Sequence, residues 1–181
     1  MCSWDTLRIF CLIIRDEVVL IQKTTTGEIM RRKVMRLYVG CALKGAPKKF
    51  VKFVAEVKKD LAERNKGKLV VLEFLGLGVG SDTDVYRVDI GNVMKCDFFI
   101  AFIDHASTGL GIELGEMMRG REIPFLVLDN YRRNHNRMAT GGVKNRKERG
   151  LFAEYTSKES AIRIIEGFAR VHPLLKKFQY K

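Results

Sequence analysis

The run DFFIAFID, residues 97–104, constrains this chain more than any other stretch. Its interior is apolar at every position, so as a strand it needs cover on both faces. Sheets of that kind are parallel, and parallel neighbours need crossover segments between them. The rest of the sequence supplies both parts. RLYVGCAL (36–43) and KLVVLEFLG (68–76) read as further strands. Between them, APKKFVKFVAEVKKDLAERN sets Phe50, Phe53, Val54, Val57 and Leu61 at helical spacing behind Pro47, a residue suited to a first turn. SDTDVYRVDIGNVMKC opens with cap-type residues and offers Val85, Val88, Val93 and Met94 as an inner face, although Gly91 weakens it as a helix. GIELGEMMRG then reads as a short helix, IPFLVLD as a fourth strand, LFAEYT as a fifth after a polar basic loop, and KESAIRIIEGFARVHPLL as a closing helix.

Strands alternating with helices predict an α/β fold, a doubly wound five-stranded parallel sheet of order 2-1-3-4-5. The first 34 residues do not share that rhythm. LRIFCLII and EVVLIQK, separated by RD, predict a β-hairpin followed by the polar TTTGEIMRRK. Residues 1–34 are therefore read as an N-terminal extension and 35–181 as the main domain. With 46% hydrophobic content, 181 residues suit one sizeable core.

Four scattered cysteines (Cys2, Cys11, Cys41, Cys96), with no CxxC pair and no Cys/His cluster, argue against a zinc site and a secreted disulfide framework. A reducing cytoplasm is the expected compartment. No run approaches the roughly 18 apolar residues of a membrane helix, and no signal-peptide pattern is read at the amino terminus. The net charge of +12 raises the question of an anionic partner, although most of the basic residues read as solubilising surface and only some as phosphate contacts. Much of it lies in NYRRNHNR, KNRKERG and LLKKFQYK, and KNRKERG lacks the interleaved aromatics of an RNA platform.

In such a sheet, ligands bind beyond the carboxyl ends of the strands at the switch point, here between the strands at 36–41 and 97–103. The loops there are GCALKGAP and DHASTGLGIELG. Gly109 and Gly111 permit close backbone approach, while Ser107, Thr108 and the first helical N–H groups can donate to an anion. Glu113 is expected in the first helical turn, where the helix dipole favours its ionised form. The same residues also fit a simple capping arrangement. Asp89 adds a second carboxylate, on the helix leading into the 97–103 strand. Two carboxylates converging on a sugar are the minimum for glycosyl transfer.

LYVGCAL, DVYRVDIGNVMKCDFFIAFID, STGLGIELG and the later NRM, in this order, resemble the nucleoside 2-deoxyribosyltransferase family, which includes the 2′-deoxynucleoside 5′-phosphate N-hydrolases. The resemblance spans roughly residues 36 to 160 and implies a flavodoxin-like fold. It further implies that Glu113 is a nucleophile forming a glycosyl ester, Asp89 the acid that assists the departing base, and Tyr38 an aromatic that holds the nucleophile. Ser107 stands where the monophosphate hydrolases hold the 5′-phosphate. Gly40 matches the first-strand glycine; Cys41 replaces a serine after it, and Lys44 substitutes for an arginine. Asn136 and Met138 resemble a segment given across a subunit interface, which implies a homodimer or higher homo-oligomer. The expected substrate is a nucleoside or nucleotide, with no metal or organic cofactor. The alternative is a silent nucleotide-sensing or nucleic-acid-binding module on the same fold.

Overall fold

A computed structural model describes residues 9–14, 17–23, 29–76, 78–120, 122–130 and 136–178, with side chains from residue 33 onward. Strands β1 (Ile9–Ile14), β2 (Glu17–Lys23) and β3 (Ile29–Lys33) form an antiparallel sheet of order β1-β2-β3. The predicted hairpin is present, and it has a third strand. IMRRK was read as part of a polar continuation because three of its five residues are basic; as β3 it pairs with β2 from Val19↔Lys33 to Lys23↔Ile29. Cys2, Trp4 and residues 24–28 lie outside the described residues.

The second sheet carries the predicted alternation. In chain order come β4 (Met35–Cys41), α1 (Lys48–Arg64), β5 (Leu69–Leu72), α2 (Asp82–Lys95), β6 (Phe98–Phe102), α3 (Thr108–Gly120), β7 (Phe125–Asn130), α4 (Arg137–Lys144), β8 (Gly150–Tyr155) and α5 (Lys158–Val171). A short 3-10 helix, Pro173–Phe178, follows. All neighbours are parallel and the order is β5-β4-β6-β7-β8, which is 2-1-3-4-5 and the flavodoxin-like arrangement.

Residue parity divides the core into two layers, as strand geometry requires. Leu37, Val39, Phe98, Ile100 and Phe102 pack toward α1 and α5 with Val54, Leu61, Ile162 and Ile165. Tyr38, Phe99, Ala101 and Val127 pack toward the opposite helices with Val93, Leu114, Met117 and Val143. β6 is buried at all five positions, as its unbroken apolar run demands.

Several elements differ from the sequence reading. β5 stops at Leu72 rather than running to Gly76, and α5 ends at Val171, two residues before Pro173. α2 has Ser81 and Asp84 as a reciprocal capping box and runs through Gly91, but of its expected inner face only Val93 is buried. Met94 is 40% exposed and lies against Gly120 of α3. α3 starts at Thr108, since Ser107 Oγ accepts the Leu110 N–H at 3.2 Å and caps it three residues earlier than expected. The loop read after β7 contains α4, capped by Asn136 Oδ1 on the N–H groups of Met138 and Ala139.

Candidate active site

β4 and β6 end side by side, with Gly40 opposite Ala101 and Cys41 opposite Phe102. Beyond those ends lies a cavity of about 750 Å³, lined among others by Cys41, Lys44, Asp89, Ser107, Gly109 and Glu113. The switch point therefore brings together the two expected carboxylates and, of the expected binding residues, Lys44, Ser107 and Gly109. The cavity's outer wall is apolar and exposed, with Val79, Tyr86 and Ile112 contributing.

Glu113 sits over the backbone of β4. A Cβ placed on Gly40 would stand 2.7 Å from Glu113 Oε2 and 2.7 Å from Leu110 Cδ1, so only glycine admits the carboxylate there. Tyr38, fully buried and stacked on Phe99 at 5.6 Å, approaches the same point from two residues earlier on the strand. Tyr38 Oη and Glu113 Oε2 are both enclosed without a hydrogen-bond partner at good geometry. The two groups still act on each other: the phenol lowers the Glu113 pKa, and Glu113 raises that of Tyr38. Buried polar atoms left in this state are uncommon, and a ligand group is a ready way to satisfy them.

Glu113 falls in the second turn of α3 rather than the first, because the helix begins at Thr108. The helix N-terminus is thus not its main influence. Burial dominates and pushes its pKa from 4.5 to about 7, with the charge of Asp89 adding to the rise and Tyr38 and Lys58 opposing it. Asp89 is also raised by burial, against the opposing effects of the Leu75 N–H, which it accepts at 2.9 Å, and of Lys58. Cys41, lining the same cavity, is pushed up to about 11, chiefly by burial. Glu113, with its pKa near neutrality, can take up or release a proton there, as acid–base work requires, and half-buried Asp89 is shifted in the same direction.

Ser107 spends one lone pair on the Leu110 N–H, which leaves its hydroxyl hydrogen available to an acceptor in the cavity. The capping reading and the binding reading are therefore compatible. Gly109 lines the cavity; Gly111 does not, and a Cβ there would meet nothing within 4 Å. Asn136 caps α4 and Met138 is 87% exposed, and neither lines the cavity. His105 packs edge-on against Phe50 at 4.7 Å and does not line the cavity.

Lys58 was missed. It is buried on the inner face of α1, and its charge reaches Glu113, Asp89 and Cys41. The signal was present, since Lys58 follows Val54 by four residues and precedes Leu61 by three. Among the described residues, no cluster of three or more His, Cys, Asp or Glu could hold a metal ion, and no helix is long and apolar enough to cross a membrane.

No family model and no curated protein matches the chain. Among solved structures it is similar to Clostridium botulinum CMP N-glycosidase, BcmB, with a TM-score of 0.56 and 18% identity over 74% of this chain and 98% of that one. At that identity the likeness establishes a shared fold.

Proposed function

We propose that the chain is an enzyme of the nucleoside 2-deoxyribosyltransferase type that cleaves the N-glycosidic bond of a nucleotide, with residues 35–181 as the catalytic domain and 1–34 as an appended extension. The observation that carries this reading is the placement of Glu113 Oε2 against the Gly40 backbone, at a cavity shared with Asp89. Ionised Glu113 attacks the anomeric carbon as the bond to the base breaks, and Asp89 gives its proton to the departing base. Asp89 then takes a proton from water, which opens the glycosyl ester, frees the sugar and restores Glu113. A second base in place of water gives transfer. Both routes retain anomeric configuration.

Tyr38 positions the Glu113 carboxylate. Ser107 and Lys44 receive the 5′-phosphate, a neutral donor and a cation suited to that anion. Asn136 and Met138 reach the cavity from a second copy, making the enzyme a homodimer or larger; the exposure of Met138 supports an intermolecular role. The shared fold with a CMP N-glycosidase supports a nucleotide substrate.

The test is base release from cytidine and deoxycytidine, each with and without its 5′-monophosphate. Faster release from the monophosphates is expected, and a preference for the free nucleosides would overturn the roles of Ser107 and Lys44. Adding a foreign free base separates transfer from hydrolysis. Salt-dependent binding to nucleic acid without release of base from any substrate would instead favour the silent module.

A further inference from the structure

Beyond Leu72 the chain leaves the β5 ladder, and the irregular stretch that follows carries the Leu75 N–H that donates to Asp89 Oδ1 at 2.9 Å. Backbone outside a ladder is held by what its neighbours attach to it. From α2, Asn92 Nδ2 donates to the Glu73 carbonyl at 2.9 Å. From α1, Lys58 Nζ donates to Glu73 Oε2 at 2.7 Å and lies 3.9 Å from the centre of the Phe74 ring. The Lys58 side chain is 8% exposed while that of Glu73 is 66% exposed. The lysine thus comes from the core and meets its partner near the surface. An ammonium group is costly in an apolar layer unless paired, and both of its contacts are to the segment that orients Asp89.

We propose that Lys58 is a positioning residue, its ammonium group pinning Glu73 and Phe74 so that the Leu75 N–H holds the Asp89 carboxyl at the cavity wall. This rests on the reading of Asp89 as the proton donor to the departing base. Asp89 raises the pKa of Tyr38 on β4 and Glu113 on α3, and it shares the cavity wall with Lys44, Asp82 and Tyr86. Lys58 from α1 lowers the Asp89 pKa, against the rise that burial causes.

The experiment compares wild type with Lys58→Met, Lys58→Arg and Glu73→Gln by two readouts. NMR follows the Asp89 carboxyl carbon and the Leu75 amide through a pH titration, and kinetics follow base release from cytidine 5′-monophosphate. In Lys58→Met, Asp89 should titrate at higher pH and the Leu75 amide should cease to follow it. The kcat should fall about tenfold with KM changed less than about twofold. Lys58→Arg should restore most of both, because the charge and the reach to Glu73 are kept. Glu73→Gln keeps the Lys58 charge and weakens the pin, so the Leu75 amide should follow the Asp89 titration less closely and kcat should fall by less, and it decides the matter if Lys58→Met does not fold. An Asp89 titration and Leu75 response identical to wild type would overturn the proposal, even if kcat fell. A wild type that releases no base from any nucleotide would sink the functional reading, while the NMR comparison would still decide the role of Lys58.

Discussion

β4 meets a carboxyl group near each end, Asp97 at its start and Glu113 over Gly40, and the two are treated in opposite ways. At its start, Arg36 grips Asp97 with Nε on Oδ2 at 3.0 Å, Nη2 on Oδ1 at 3.2 Å and its own backbone N–H on Oδ2 at 3.0 Å. The Asp97 N–H returns to the Arg36 carbonyl at 2.8 Å. At the other end, Tyr38 Oη and Glu113 Oε2 are enclosed beside each other without a hydrogen bond of good geometry, though each shifts the other's pKa. The first arrangement is complete and fastens β4 to the chain entering β6. The second encloses two polar groups beside the cavity, and burial raises the pKa of both.

Substitutions should separate the two ends. Asp97→Ala leaves the Arg36 guanidinium largely buried beside a lost partner, so denaturant unfolding should show a loss of about 3 kcal/mol or more, with base release by the remaining folded protein little changed. A mild effect on stability would mean that the amino end is not a fastening. Gly40→Ala drives a methyl group into Glu113 Oε2 and Leu110 Cδ1, and base release should fall by roughly two orders of magnitude, with a stability loss of about 1–3 kcal/mol. Near-normal kinetics in that variant would show that Glu113 need not lie where the structure puts it.

Glu113 also makes a pH-dependent contribution to stability. Its pKa in the fold is raised from 4.5 to about 7, so its contribution is fully present below pH 4.5 and is lost as pH rises through 7. Replacing it with Gln should therefore favour the variant increasingly between pH 5 and pH 8, by up to about 3 kcal/mol. Parallel stability profiles for the two proteins would contradict the buried carboxyl. Tyr38→Phe should have the smallest effect. It removes the hydroxyl that acts on Glu113, so stability should change little while kcat falls about tenfold through looser placement of Glu113.

The contrast between the two ends also marks what could be read before the structure was known. Apolar runs and helical spacing report on burial, and they placed the parallel strands, their order and the switch point where Asp89, Ser107 and Glu113 meet. They report poorly on local capping. Ser107 looked like a ligand donor, and its second role as the cap of α3 moved Glu113 out of the first turn and reversed the expected direction of its pKa shift. Asn136, likewise assigned to substrate, caps a helix that its basic surroundings concealed. Lys58 escaped because a charged residue at a core position of an amphipathic helix is ordinarily assigned to the solvent face. Only the fold shows Glu73 and Phe74 waiting for it.

The most direct measurement is the rate of base release from cytidine 5′-monophosphate by Glu113→Gln beside wild type, with circular dichroism confirming that both are folded. The amide keeps the shape of the side chain and removes the nucleophile. Wild type should release cytosine and the variant should be slower by about a thousandfold or more. Release by the variant at the wild-type rate would contradict the assignment of Glu113 as the group that attacks the sugar.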